Sequence, residues 1–240
     1  MRRNGFCYRG EMDEQTWQTA TAPWGMIGFA HTLSSKRKLR LFTCACCRQV
    51  LNPFAPRVAE RALDAAEAFA DGEITVAVLA QVGEAVSRAF AGATDDADRG
   101  TGYLRHLSDA CRWACKSGNE EQAAGKAALA AARAAADVPW PATGELHRGC
   151  PVEPAAQAEL MRDIFGNPFR SVGIELEWLT DTVLALARGI YAERAFDRMP
   201  ILADALQDAG CDDEELLSHC RADREHVRGC WVVDLLLSKN

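Results

Sequence analysis

No stretch of this chain stays apolar for the roughly 18 residues a membrane-spanning helix needs, so nothing in it reads as a span. The N-terminus, MRRNGFCYRGEMDE, is basic but lacks the apolar segment of a secretory signal, and the expected compartment is therefore the cytoplasm. Positive charge is short as well. Lys and Arg number 27 against 34 Asp and Glu, a net charge of −7 at pH 7. That balance favours solubility and argues against a general nucleic-acid binder. Runs in which β-branched residues alternate with polar ones are missing too, which excludes a strand-built fold.

What is present is ordinary in bulk and unusual in sulfur. Hydrophobic content of 48% and charged content of 25% are those of a globular protein, and 240 residues can bury a full core as one large domain or two small ones. Ten cysteines are many, yet fall short of a disulfide scaffold. Without an export signal, the thiols are read as buried small hydrophobes or as metal ligands.

Helix follows helix along the chain. The expected fold is all-α, an irregular multi-helix bundle of roughly eight to ten helices. Residues 1–11 are expected to be a disordered leader, with Met12 a second plausible start. Asp13 can cap a short helix carrying Trp17, and Pro23 opens a segment running to about Thr32. Ser34 or Ser35 then caps KRKLRLFTCACCRQVL. This helix breaks a local rule, because Lys36, Arg37 and Lys38 fill its first turn, where the backbone dipole favours negative charge. Further helices are expected over about 57–70, 75–91, 103–116, 120–136 and 155–165, with 92–102 a loop. The domain reading is an N-terminal helical block at 12–136, a Pro/Gly-rich connector at 137–154, and a C-terminal block at 155–240 packed on the first. Cys44 and Cys47, Cys111 and Cys115, and His147 and Cys150 are each short pairs. A lone pair needs a second pair from elsewhere to close a metal shell, so packing is the preferred reading for the helical ones.

The last fifty residues concentrate the chemistry. On a helical wheel over 183–199, Val183, Leu186, Ala187, Ile190 and Tyr191 share one arc, which Arg194, Asp197 and Arg198 join in the final turns. Charges entering an apolar face must be paired, so these three with Asp234 are expected to form a polar cluster at the core rim, or else to reach water. From Glu193 to Glu215 there are eight acids and two bases, whereas Lys36–Arg48 has five bases and no acid. Lys36, Arg37, Lys38 and Arg40 are therefore read as a basic surface or, preferably, as the docking face for that acidic segment. The final helix is expected to open around Val227–Gly229, placing His226, Cys230 and Asp234 on one stripe.

Three chemistries compete for this region. Cys211, His219, Cys220, His226 and Cys230 supply enough soft and imidazole ligands for a tetrahedral zinc site. Cys220 or Cys230 with His226 and Asp234 could make a thiol hydrolase, although no oxyanion hole is recognisable. The structural alternative packs the cysteines and pairs Asp234 with Arg194, Arg198 or a histidine.

The segments KRKLRLFTCACCRQV, RDIFGNPFR, IYAERAFDRMPILADALQDAGC and HVRGCWVVDLLL resemble a family of uncharacterised proteins abundant in planctomycete bacteria. Met12–Trp17 is similar to the Met-x-Glu-x-x-Trp pattern near which members of that family begin. The resemblance covers about half the chain in two blocks. It implies no catalytic residues, and by analogy it implies an interaction or regulatory role. The functional expectation is a cytoplasmic adaptor module that binds another protein, nucleic acid being less favoured, with no chemistry of its own. The alternatives are a zinc-stabilised binding domain, and an enzyme with a hydrolytic thiol or with acid/base groups around Arg194, Asp197, His226 and Asp234.

Overall fold

The computed structural model describes residues 12–33, 35–51, 55–91, 101–136 and 154–239. The expected leader, the Ser34 cap, most of the 92–102 loop, and nearly all of the 137–154 connector with His147 and Cys150 lie outside them. Among the described residues the chain is all-α and has no strand. Twelve α-helices run in order, more than the eight to ten expected: α1 Glu14–Thr19, α2 Trp24–Thr32, α3 Lys36–Arg48, α4 Arg57–Ala70, α5 Val76–Ala89, α6 Thr101–Ala114, α7 Glu120–Ala136, α8 Pro154–Phe165, α9 Asp181–Glu193, α10 Met199–Asp208, α11 Glu214–Arg221 and α12 Trp231–Leu236. The surplus consists of short helices that turn chemistry cuts apart. No described helix is long and apolar enough to cross a membrane.

The helices sort into two compact units. One holds Thr19–Met161, and the other joins Asp13–Gln18 to the chain from Arg162 onward. The division therefore falls inside α8 rather than in the 137–154 stretch, and α1 belongs almost entirely with the second unit. Trp17 is the reason for that placement. Its side chain is fully buried, its indole donates to Gly166 O at 2.9 Å, and its ring meets Phe165 edge-on. Arg162 Nη1 donates to Trp17 O, and Asn167 Nδ2 to Glu14 Oε1.

In the N-terminal unit, Ser35 caps α3 by accepting from Lys38 N. One cation of the basic first turn meets an acid of the same unit. Arg37 Nε donates to the buried Asp71 at 3.0 Å. Arg40 is itself buried, so it is not part of a basic surface. Its guanidinium donates to Ala114 O and Lys116 O at the end of α6 and to Glu120 at the start of α7. Farther along, Arg48 bonds Glu67 at 2.6 Å and Asp64 at 2.8 Å. Arg37 and Arg40 of the expected docking face thus have acid partners within their own unit. Lys36 is exposed and Lys38 partly buried.

The alanine-rich α7 is docked. Ala124, Ala127, Ala128, Ala131 and Ala134 are fully buried, and Gln157 of α8 donates to Ala128 O. Small side chains give little apolar area each but allow the close helix approach that compensates.

In the C-terminal unit, Thr180 caps α9 and Asp213 caps α11, each accepting a backbone N–H of the first turn. Val183, Ile190, Leu202, Leu206, Leu216 and Val232 build its core. Helix α9 stops at Glu193 because Arg194 takes the left-handed conformation, φ 54°. Consequently the 183–199 wheel does not continue. Arg194, Asp197 and Arg198 are exposed, as the second of the two expected outcomes has it; Arg198 bonds Glu193, and Asp234 is buried. The acidic segment also finds a local cation, with Arg221 reaching Asp204.

Candidate metal centre

The last described helix starts later than the sequence suggested. Gly229 has φ +96° and Cys230 stands at the N-cap of α12, so residues 226–230 form a turn rather than a helical stripe. That turn still gathers His226 and Cys230, and it carries Asp234 away along α12. Facing the turn are His219 from α11 and Asp163 from the last turn of α8. Within the described residues, Asp163, His219, His226 and Cys230 are all buried, and one donor atom from each lies within 4.8 Å of the others.

The geometry around Asp163 is dense. His226 Nδ1 lies 2.6 Å and His219 Nε2 3.2 Å from Oδ1, while Val227 N donates to Oδ2 at 2.9 Å. His219 Nε2 is also 3.2 Å from Cys230 Sγ, which stands 3.9 Å from His226 Nδ1. The far nitrogen of His219, Nδ1, accepts from Trp231 Nε1 at 3.0 Å. The far nitrogen of His226, Nε2, is buried with no hydrogen-bond partner. Burial alone would raise the Asp163 carboxyl, yet the hydrogen bonds of the two histidines hold it below its ordinary value. Burial pushes the His219 ring the other way, below its usual value and against the pull of Asp163. Cys230 is raised well above the ordinary thiol by burial and by Asp163.

Of the five ligands the sequence suggested, the structure brings together His219, His226 and Cys230. Cys211 and Cys220 are not in the group. Both sit in the apolar core of the unit, where burial pushes the Cys220 thiol up to about 12. Asp163 is the member that sequence reasoning missed. Its signal was present in RDIFGNPFR, an acid next to Ile164 and close to Leu160 and Met161, all buried. This is the same kind of lone carboxylate in an apolar run that drew attention to Asp234.

Tetrahedral zinc with bonds of about 2.0–2.3 Å separates its ligands by roughly 3.3–3.8 Å. The 3.2, 3.2 and 3.9 Å edges are close to that; the 2.6 Å Asp163–His226 edge has to open, and the widest separation in the group, up to 4.8 Å, has to close. The same atoms make a poor thiol nucleophile. Cys230 is sealed, its pKa is raised, and Asp163 meets His219 on the nitrogen that faces the sulfur, so it cannot orient the ring from behind. Compared with models of known protein families, with curated proteins and with solved structures, the chain matches none.

Proposed function

We propose that the C-terminal unit is a zinc-stabilised binding domain, with Asp163, His219, His226 and Cys230 as the ligands and another macromolecule as the target. The observation that carries this reading is the convergence of a thiol, two imidazoles and a carboxylate in one buried group. Charge supports it. A divalent ion balanced by one thiolate and one carboxylate leaves a neutral buried site, avoiding the several kcal/mol an uncompensated charge costs. Four protein donors close a tetrahedral shell, so the role is structural, holding α8, α11 and the 226–230 turn together. Asp163, His226 and Cys230 fall in the RDIFGNPFR and HVRGCWVVDLLL segments, so if the planctomycete resemblance holds, the site belongs to that family.

A second reading is favoured by one specific observation. The Asp163 carboxylate already receives His226 Nδ1, His219 Nε2 and Val227 N, which would satisfy it as a metal-free polar staple. Elemental analysis of protein purified without chelator separates the two. One zinc per chain, lost in Cys230→Ser but kept in Cys220→Ser, is the expected result. Metal-free protein that takes up none on zinc addition selects the staple.

A further inference from the structure

His219 carries a conflict between its two nitrogens. An indole N–H only donates, so the Nδ1 that accepts from Trp231 presents a lone pair, and the proton of the neutral ring sits on Nε2. Nε2 is also the atom that faces Asp163 and Cys230 at 3.2 Å, and a metal bound there needs its lone pair. The ring proton then moves to Nδ1, where it confronts the indole N–H across 3.0 Å with no acceptor between them. For a neutral ring, the Trp231 hydrogen bond and a metal on His219 exclude each other. The other protons have places to go. That of His226 passes from Nδ1 to the buried Nε2, and that of the Cys230 thiol is released to water.

Trp231 has a second neighbour. The indole is seated against Gly166, whose φ is +64°, and a Cβ built there would lie 3.0 Å from Trp231 Cγ. On that side the ring meets backbone and cannot yield. Trp231 and His219 are also both walls of a polar cavity of about 360 Å³, lined further by Arg162, Arg170, Arg224 and Glu215. Open space for a displaced indole lies there.

We infer that filling the Asp163–His219–His226–Cys230 group with metal drives Trp231 off His219 and reshapes this cavity, making the cavity a surface whose form depends on metal occupancy. The inference rests on the metal reading and deepens it: the ion stabilises the unit and also sets what the adjoining cavity presents.

Nuclear magnetic resonance of the full chain, titrated with zinc chloride, tests it. The Trp231 indole N–H is assigned by backbone connectivity, so no variant is needed for this arm. At one equivalent of zinc, its resonance is expected to move and its exchange with water to accelerate, while His219 Nδ1 changes from an unprotonated to a protonated signature. Trp231→Phe removes the opposing donor and is expected to bind zinc about 3- to 10-fold more tightly, the worth of one hydrogen bond. Zinc bound at one equivalent with the Trp231 indole unmoved overturns the coupling and leaves the metal site standing. Tryptophan removal that leaves affinity unchanged does the same. No zinc bound by either protein overturns the metal reading itself.

Discussion

Both units bury charge and sulfur, and they do so to different ends. In the N-terminal unit the buried Arg40 is matched to Glu120 and two carbonyls, while Cys44, Cys46, Cys47, Cys111 and Cys115 are buried as thiols. Burial pushes Cys111 up to about 12 and Cys115 up to about 11, and Cys115 Sγ leans on Ala62 O at 3.7 Å. These sulfurs behave as small hydrophobes. In the C-terminal unit a single thiol stands beside two imidazoles and a carboxylate. Five cysteines in the first unit make a core, and one in the second makes a candidate site. The neighbours of a sulfur, rather than the number of sulfurs, decide its chemistry.

The contrast can be broken hardest at Asp163. Asp163→Asn puts an amide where three N–H groups converge, leaving buried donors opposed and the metal short of its anionic oxygen. A loss of about 3–5 kcal/mol is expected, the range for removing one partner of a buried charge network. Hydrogen-exchange mass spectrometry should show α11, α12 and the 226–230 turn opening while α3, α6 and α7 keep their protection. Arg40→Ala is the mirror experiment. It removes the cation from Glu120, which keeps the Gly118 N–H, and takes the guanidinium donor from Ala114 O and Lys116 O, so about 3 kcal/mol should be lost. Here the protection lost is in α3, α6 and α7, and zinc uptake stays at its wild-type value. If Arg40→Ala lowers zinc uptake, the two regions are not chemically separate and the comparison fails.

Much of this was legible in the residues. Caps marked some boundaries: Asp13 accepts the N–H expected of a cap, and so does Ser35, one of the two serines offered for α3. The absence of alternation predicted the all-α class. What failed was anything that required a helix to continue. Arg194 in the left-handed region ends α9 before the wheel reaches Asp197, and Gly229 delays α12 past His226, so stripes drawn through those points placed charges and ligands on faces that do not exist. The partners of individual cations were not legible for a related reason. Opposite charge between segments 36–48 and 193–215 is a sum over residues, whereas ion pairs are decided atom by atom at short range. Arg37 pairs with Asp71 and Arg40 with Glu120. Asp163 escaped because no second ligand lies near it in sequence. His219 is 56 positions away, and only the fold joins them.

The finest test of the comparison uses two helix caps of the same kind. Ser35 accepts Lys38 N at 3.3 Å at the head of α3, and Asp213 accepts Leu216 N at 2.9 Å at the head of α11. Ser35→Ala and Asp213→Ala should each cost about 1 kcal/mol in denaturant unfolding, the ordinary worth of an N-cap side chain. Their effects on metal should differ. Helix α3 carries Cys44, Cys46 and Cys47 but no member of the buried group, so Ser35→Ala leaves zinc affinity unchanged. Helix α11 carries His219, and fraying its first turn loosens the hold on that ring. Asp213→Ala should therefore weaken zinc binding by up to about tenfold, because a local loss of about 1 kcal/mol in a metal-coupled helix passes into the binding equilibrium. Equal shifts in affinity from both caps would show that stability alone governs loading. An effect confined to Asp213→Ala would tie the site to the helix that presents it.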